Sequence, residues 1–191
     1  GKPVLEIRSV GVAKESPGDA ILEPKPLVDE FGQWIPEEWP GKAHSLEDLK
    51  AAWAAEEKTL GGGTFDYCPY GGYRSTRARA TGFFRVEQVD GRWWFIDPDG
   101  HYFYSAGATC IRPHSGTRTE GREGVFAALP PAELTASGGR EGASFFTWNL
   151  ARRHGAGWLA KWIDLTTRRM EAWGLNTVAN WSDPHLWDAH R

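Results

Sequence analysis

The residues best suited to chemistry in this sequence follow two predicted strands. They are Arg112 and His114 after the first strand, and Asn180, Trp181 and Asp183 after the second. Asn and Asp side chains offer hydrogen-bond acceptors to sugar hydroxyls. An indole ring offers a flat apolar surface that suits the C–H face of a pyranose. The two stretches therefore predict a carbohydrate-binding edge.

These residues also have structural interpretations. Ser182-Asp183-Pro184 is a sequence that can cap a following helix, and His114 can be a surface or packing histidine. Glycoside hydrolysis needs two carboxyl groups on either side of the scissile bond. Glu120, Glu123 and Asp183 are the acidic residues near the predicted edge, and none follows a strand directly. We therefore predict no catalytic residue in this chain.

One strand–helix–strand unit must position these residues. Residues 102–110 are predicted as a strand whose second half is buried on both faces. Residues 156–173 carry apolar side chains at helical spacing before Gly174, and 175–179 form a second strand. Parallel strands need such a crossover. The unit opens either a (β/α)8 barrel or a doubly wound sheet, and periodicity does not separate the two.

The rest of the chain predicts supporting elements. Strands at 83–89 and 92–96 flank Asp90-Gly91, a hairpin signal, and Asp97-Pro98-Asp99-Gly100 is a second turn. Ser45 caps a helix that extends to about 58. A short helix is expected at 145–153.

Composition excludes several functional classes. The formal net charge is −3, which gives no strong attraction to nucleic acid or anionic membranes. No apolar run approaches a membrane span, and the opening residues are not expected to form a signal peptide. The spacing of histidines and cysteines predicts no metal site, and no cofactor fingerprint follows the first parallel strand. Cys68 and Cys110 are compatible with a disulfide or with two buried thiols.

Tryptophan is the exceptional residue, with 11 in 191 positions. Trp-rich clefts suit sugar chains, although most tryptophans in a protein serve packing. The excess therefore supports a carbohydrate hypothesis without establishing it.

Three motifs in order resemble a known family. The first is Phe31-Gly32-Gln33 with Trp39-Pro40-Gly41-Lys42. The second is Thr81-Gly82-Phe83-Phe84-Arg85 followed by Asp90-Gly91-Arg92-Trp93-Trp94 and Asp97-Pro98-Asp99-Gly100-His101. The third is Trp173-Gly174-Leu175-Asn176-Thr177 with Asn180-Trp181-Ser182-Asp183. Over roughly 27–187 the set resembles the β-agarases of glycoside hydrolase family 50.

The resemblance implies an α/β fold that is the start of a (β/α)8 TIM barrel, preceded by a β-hairpin and a long connector from a β-sandwich. Residues 1–12 would be the last sandwich strand, 13–80 the connector with one helix, and 81–191 the hairpin and first βαβ unit. The family's two catalytic Glu, at the ends of the fourth and seventh barrel strands, have no counterpart here. The chain alone is therefore expected to be inactive.

The resemblance also implies a secreted or periplasmic enzyme that cleaves the β-linkages of agarose with retention. Its partners would be the polysaccharide and the remainder of the same polypeptide, which completes the barrel. Two alternatives remain: a related hydrolase of another β-galactoside, and a non-catalytic carbohydrate-binding module. The module predicts tryptophans on a flat exposed face and no barrel strands, whereas the enzyme predicts Asn180 and Trp181 in a cleft.

Overall fold

A computed structural model describes residues 10–12, 14–15, 25–63, 65–134 and 142–187. Its helices are α1 (Leu46–Thr59), α2 (Phe145–His154) and α3 (Trp158–Ala172). Its strands are β1 (Arg85–Val89), β2 (Arg92–Ile96), β3 (Tyr102–Phe103), β4 (Gly107–Ala108) and β5 (Thr177–Val178). Most of the strand predicted for 1–12 lies outside the described residues, and 10–12 are not in a strand.

The predicted hairpin is confirmed. β1 and β2 pair antiparallel with Val89 opposite Arg92, and Asp90 and Gly91 have φ angles of 48° and 75°. Positive φ at both positions is the geometry of a two-residue hairpin turn whose twist matches the strands. β3 adds to the other edge of β2 with Phe95 opposite Phe103. The result is a three-stranded antiparallel sheet in the order β1-β2-β3.

The antiparallel sheet has one covered face and one exposed face. Ile96, on the covered face, is fully buried. The other face carries apolar side chains that remain half or more exposed, and we call it the apolar sheet face. Its members are Phe84 (50% exposed), Val86 (56%), Trp93 (70%) and Phe95 (52%).

The predicted parallel pair is confirmed, although both strands are shorter than expected. β4 and β5 are hydrogen-bonded neighbours in parallel, with Gly107 opposite Thr177 and Ala108 opposite Val178. α3 lies between them in sequence and provides the crossover, and Gly174 ends it with φ of 69°. The chain is therefore a mixed α/β structure in the described ranges.

Two expectations about 102–110 are wrong. The segment is not one strand, because 102–103 pair with β2 while 107–108 pair with β5, and the chain changes sheets at 104–106. The second half is also not buried on both faces, since Ser105, Gly107 and Cys110 are exposed. Helices α2 and α3 cover one side of the parallel pair, around Leu150, Trp162 and Leu186.

The three predicted helices are confirmed, and each begins or ends at a recognisable signal. The Ser45 side chain accepts a hydrogen bond from Asp48 N at the start of α1. Ser144 does the same for Thr147 N at the start of α2. None of the helices in the described ranges is both long and apolar enough to cross a bilayer.

Candidate substrate-binding edge

The chain continues past β4 and β5 as two loops that are bonded to each other. Cys110 N donates to Asn180 O over 3.1 Å, and Asp183 N donates to Ile111 O over 2.8 Å. Ile111 N donates to the Ser182 hydroxyl over 3.1 Å. These bonds extend the parallel pairing beyond the strands and fix residues 110–114 and 180–183 side by side. We call these two segments the strand-end site.

Among the predicted binding residues, Trp181 offers the largest exposed apolar surface. Its side chain is 68% exposed, and its φ is 61°, in the left-handed region that bulky residues avoid. Such a conformation costs about 1–3 kcal/mol and persists only where the surroundings hold it. Arg112 Nε donates to Trp181 O over 2.9 Å. The structure thus presents the indole to solvent from a constrained turn.

Asp183 adopts the structural role that its sequence context allows. Its Oδ1 accepts from His185 N over 3.0 Å and lies 2.7 Å from His185 Nδ1. It thereby caps the short 3-10 helix Pro184–Leu186. Its side chain is only 12% exposed. Asp183 therefore shapes the strand-end site, and no separate sequence signal indicates the contribution of His185.

Asn180 and His114 complete the predicted set. Asn180 is exposed beside Trp181, and His114 is half-buried in the loop after β4. Hydrogen bonds connect that loop to α2 and its N-cap on both sides of His114. The Thr147 hydroxyl donates to Pro113 O over 2.9 Å, and Ser115 N donates to the Ser144 hydroxyl over 3.1 Å.

Sequence reasoning missed Ser144 and Thr147. Both are buried, and their hydroxyls lie 2.8 Å apart. A serine directly before an apolar helical run is an N-cap signal that could have identified Ser144. The long contact from α2 to Pro113 has no local signal in the sequence.

Two of the three acidic residues near this edge, Asp183 and Glu123, have local hydrogen-bond partners. Asp183 is engaged with His185, and Glu123 accepts from Gly121 N over 3.1 Å in its own loop. Among the residues that the structure describes, no cluster of three or more His, Cys, Asp or Glu is arranged to hold a metal ion. The strand-end site can bind polar and flat apolar groups, but it has no evident machinery for bond cleavage.

A cavity of about 560 Å³ lies at the opposite end of the parallel pair. Its walls include Phe65, Tyr67, Tyr70, Met170, Leu175 and Asn176. Leu175 and Asn176 precede β5, so the cavity is at the amino-terminal end of that strand. In parallel α/β enzymes, active sites lie at the carboxyl ends of strands. The predicted binding residues follow the carboxyl ends of the strands and do not line this cavity.

The chain was compared with known proteins. No protein-family model matches it. β-Agarase B of Vibrio sp. (strain JT0107) is 30% identical over 224 aligned residues, which cover 96% of this chain and 23% of that protein. β-Agarase A of the same organism is 28% identical, over 84% of this chain and 19% of its own length. The chain thus spans less than a quarter of either relative.

Solved structures agree with the sequence matches. The agarase AgWH50C superposes with a TM-score of 0.79 at 33% identity, over 88% of this chain and 29% of its own. An exo-β-agarase gives 0.75 at 29% identity, over 88% and 31% of the two chains. PfGH50B gives 0.71 at 29% identity, over 86% and 29%.

The proteins that this chain matches are named as agarases, which are glycoside hydrolases. The chain thus matches a segment of β-agarases and of solved structures from glycoside hydrolase family 50. The resemblance carried by the three sequence motifs is thereby confirmed.

Proposed function

We propose that the complete protein is a glycoside hydrolase that cleaves β-linkages of agarose or a related galactan, with retention and in the exo mode. The observation that carries this proposal is the adjacency of two parallel strand ends that present Asn180 and an exposed Trp181. The relatives named as agarases support the same substrate class.

In this proposal β4, α3 and β5 open a (β/α)8 barrel. β4 and β5 pair only with each other among the described residues, so each leaves one edge for a further strand. Residues 81–191 then belong to the barrel domain, 13–80 to the connector, and 1–12 to a preceding β-sandwich. The remainder of the polypeptide supplies the other strands, and the enzyme acts outside the cell or in the periplasm.

The strand-end residues have distinct roles in substrate binding. Trp181 stacks on the apolar face of a sugar ring, while Asn180 and His114 exchange hydrogen bonds with its hydroxyls. Asp183 shapes the turn through His185. A retaining mechanism needs a nucleophile and an acid/base carboxyl about 5–5.5 Å apart, and we place this pair outside the present chain.

The direct test is reducing-sugar release from agarose by the protein expressed from its complete reading frame. We expect activity on agarose, and we expect NMR to detect the product first in the anomeric configuration of the substrate. Related galactans and simple β-galactosides are the comparison substrates. Hydrolysis of the galactosides without hydrolysis of agarose would support the related-hydrolase alternative. Binding without hydrolysis of any of them would support the binding-module alternative.

A further inference from the structure

The backbone at Trp181 is held by a side chain from the neighbouring loop. The Arg112 Nε–H group donates to the Trp181 carbonyl over 2.9 Å, and the sequence separation between the two residues is 69. Trp181 has φ of 61°, and its ring is 68% exposed. The ring therefore has too little packing to hold this disfavoured conformation by itself.

Other bonds at the strand-end site anchor the residues on either side of Trp181. Asn180 O accepts from Cys110 N, and the Ser182 hydroxyl accepts from Ile111 N. The contact from Arg112 reaches the carbonyl of Trp181 itself. It therefore restrains the peptide group that directly follows the Trp181 Cα.

We propose that Arg112 is a positioning residue that fixes Trp181 in the orientation needed to stack on a sugar ring, rather than a direct ligand of the substrate. This inference rests on the proposed function, because it assigns a specificity role within the same site. It also revises the sequence-based prediction, in which Arg112 contacts the sugar itself. An arginine engaged with a carbonyl of the adjacent loop organises that loop before any ligand arrives.

The test is a double-mutant cycle in the protein expressed from its complete reading frame, with Arg112→Ala, Trp181→Gly and the double variant. Glycine adopts the left-handed conformation freely but lacks the ring, so it removes both the strain and the stacking surface. We expect each single variant to raise KM for agaro-oligosaccharides by about three- to tenfold with kcat changed less than about twofold. The double variant should match Trp181→Gly, because Arg112 then has no indole to position.

Conservative and matched variants separate positioning from general structural damage. Arg112→Lys should restore part of the affinity, since a lysine ammonium can also donate to a carbonyl. Arg92→Ala is the control, since Arg92 is exposed at the hairpin turn, and it should leave KM unchanged. Thermal unfolding identifies any variant that loses affinity through misfolding.

Two results would overturn the inference in different ways. Additive increases of KM in the double variant would show that Arg112 contacts the substrate independently of Trp181. If Arg112→Ala had a normal KM while Trp181→Gly had a raised one, Arg112 would have no role in substrate binding. The proposed function would then still stand. A wild-type protein that neither binds nor cleaves agaro-oligosaccharides would instead contradict the proposed function.

Discussion

At the scale of single residues, the best-organised polar cluster lies beneath the Asp97-Pro98-Asp99-Gly100 turn. Asp97 is fully buried; its Oδ2 accepts from the Cys68 thiol over 2.7 Å, and its Oδ1 accepts from His101 N over 2.8 Å. The carboxylate thus joins the antiparallel sheet to the irregular segment 65–80. Cys68 is a free buried thiol and Cys110 a free exposed one, so the structure has neither the disulfide nor the two buried thiols that the sequence allowed.

Gly72 allows this cluster to close. A Cβ atom at position 72 would lie 2.2 Å from Asp97 Oδ2 and 2.8 Å from His101 Cβ. We expect Gly72→Ala to lower the free energy of unfolding by about 1–3 kcal/mol, because a buried carboxylate cannot move without losing its partners. Denaturant titration measures the change. Gly62→Ala is the matched control, since nothing lies within 4 Å of its Cβ, and equal losses in both variants would contradict the steric explanation.

The pKa of Asp97 predicts how the stability of the protein changes at acid pH. Burial acts to raise its pKa, but hydrogen bonds from Cys68 and His101 outweigh burial, and the pKa lies below its ordinary value of 3.8. The unfolded state therefore binds the proton more readily, so the contribution of Asp97 is present above about pH 4 and is lost as the pH falls through the folded pKa. We expect Asp97→Asn to be less stable at neutral pH and to lose less stability on acidification. If wild type and Asp97→Asn lost the same amount of stability as the pH falls, that result would argue against this role.

At the scale of elements, local signals predicted most of what the structure contains. Asp90-Gly91 specified the hairpin because both positions need positive φ, and Ser45 and Gly174 marked helix ends through capping geometry. These signals lie within a few residues of the feature that they determine. The prediction that Asn180 and Trp181 bind substrate depends on a signal of the same kind, since both follow shortly after β5.

The break between β3 and β4 could not be predicted locally, because its cause is distant in sequence. The Asn176 amide donates to Tyr104 O and Gly71 O, and its Oδ1 accepts from Ala106 N. These bonds satisfy the backbone where it passes from one sheet to the other. In sequence, 101–110 is an uninterrupted strand-like run, so the break depends on a side chain some 70 residues away.

Helix α1 is attached to the rest of the molecule by ion pairs and by the contacts of Trp53 with His154 and Arg153, without a fully buried apolar face. It has no buried residue. Arg169 on α3 forms two hydrogen bonds of 2.7 and 2.6 Å with the carboxylate of Glu56, and Arg153 on α2 pairs with Glu57. The bidentate bond from Arg169 lowers the pKa of Glu56. Bidentate arginine–carboxylate pairs are stronger than ordinary surface ion pairs.

Removal of the Arg169–Glu56 pair should weaken the attachment of α1 to the rest of the molecule. We expect Arg169→Ala to reduce stability by about 1 kcal/mol and to accelerate amide hydrogen exchange across α1. Because the pKa of Glu56 is lowered, the difference from wild type should persist at neutral pH and diminish as Glu56 becomes protonated below its ordinary pKa of 4.5. Glu47→Gln, on the exposed side of α1, serves as the control and should leave exchange in the second half of the helix unchanged. Equal exchange rates in Arg169→Ala and wild type would show that other contacts hold the helix.

At the scale of the whole molecule, two features remain open in the described residues. The apolar sheet face carries Phe84, Val86, Trp93 and Phe95 with half or more of each side chain exposed. The parallel sheet has two strands and thus two outer edges, which present backbone groups that further strands can pair with. Exposed apolar patches and unpaired edges favour association with other protein surfaces.

These open features predict how the 191-residue chain behaves on its own. The chain alone should enhance the fluorescence of a hydrophobic dye and self-associate as its concentration rises, because its apolar surface has no cover. Trp93→Thr with Phe95→Thr should reduce both effects, since threonine keeps strand propensity while it removes aromatic area. Tyr104→Thr tests whether any exposed aromatic suffices, because Tyr104 is 75% exposed but belongs to neither sheet. Weak dye binding by the chain alone, or an equal response to all these substitutions, would mean that the apolar sheet face does not cause the self-association.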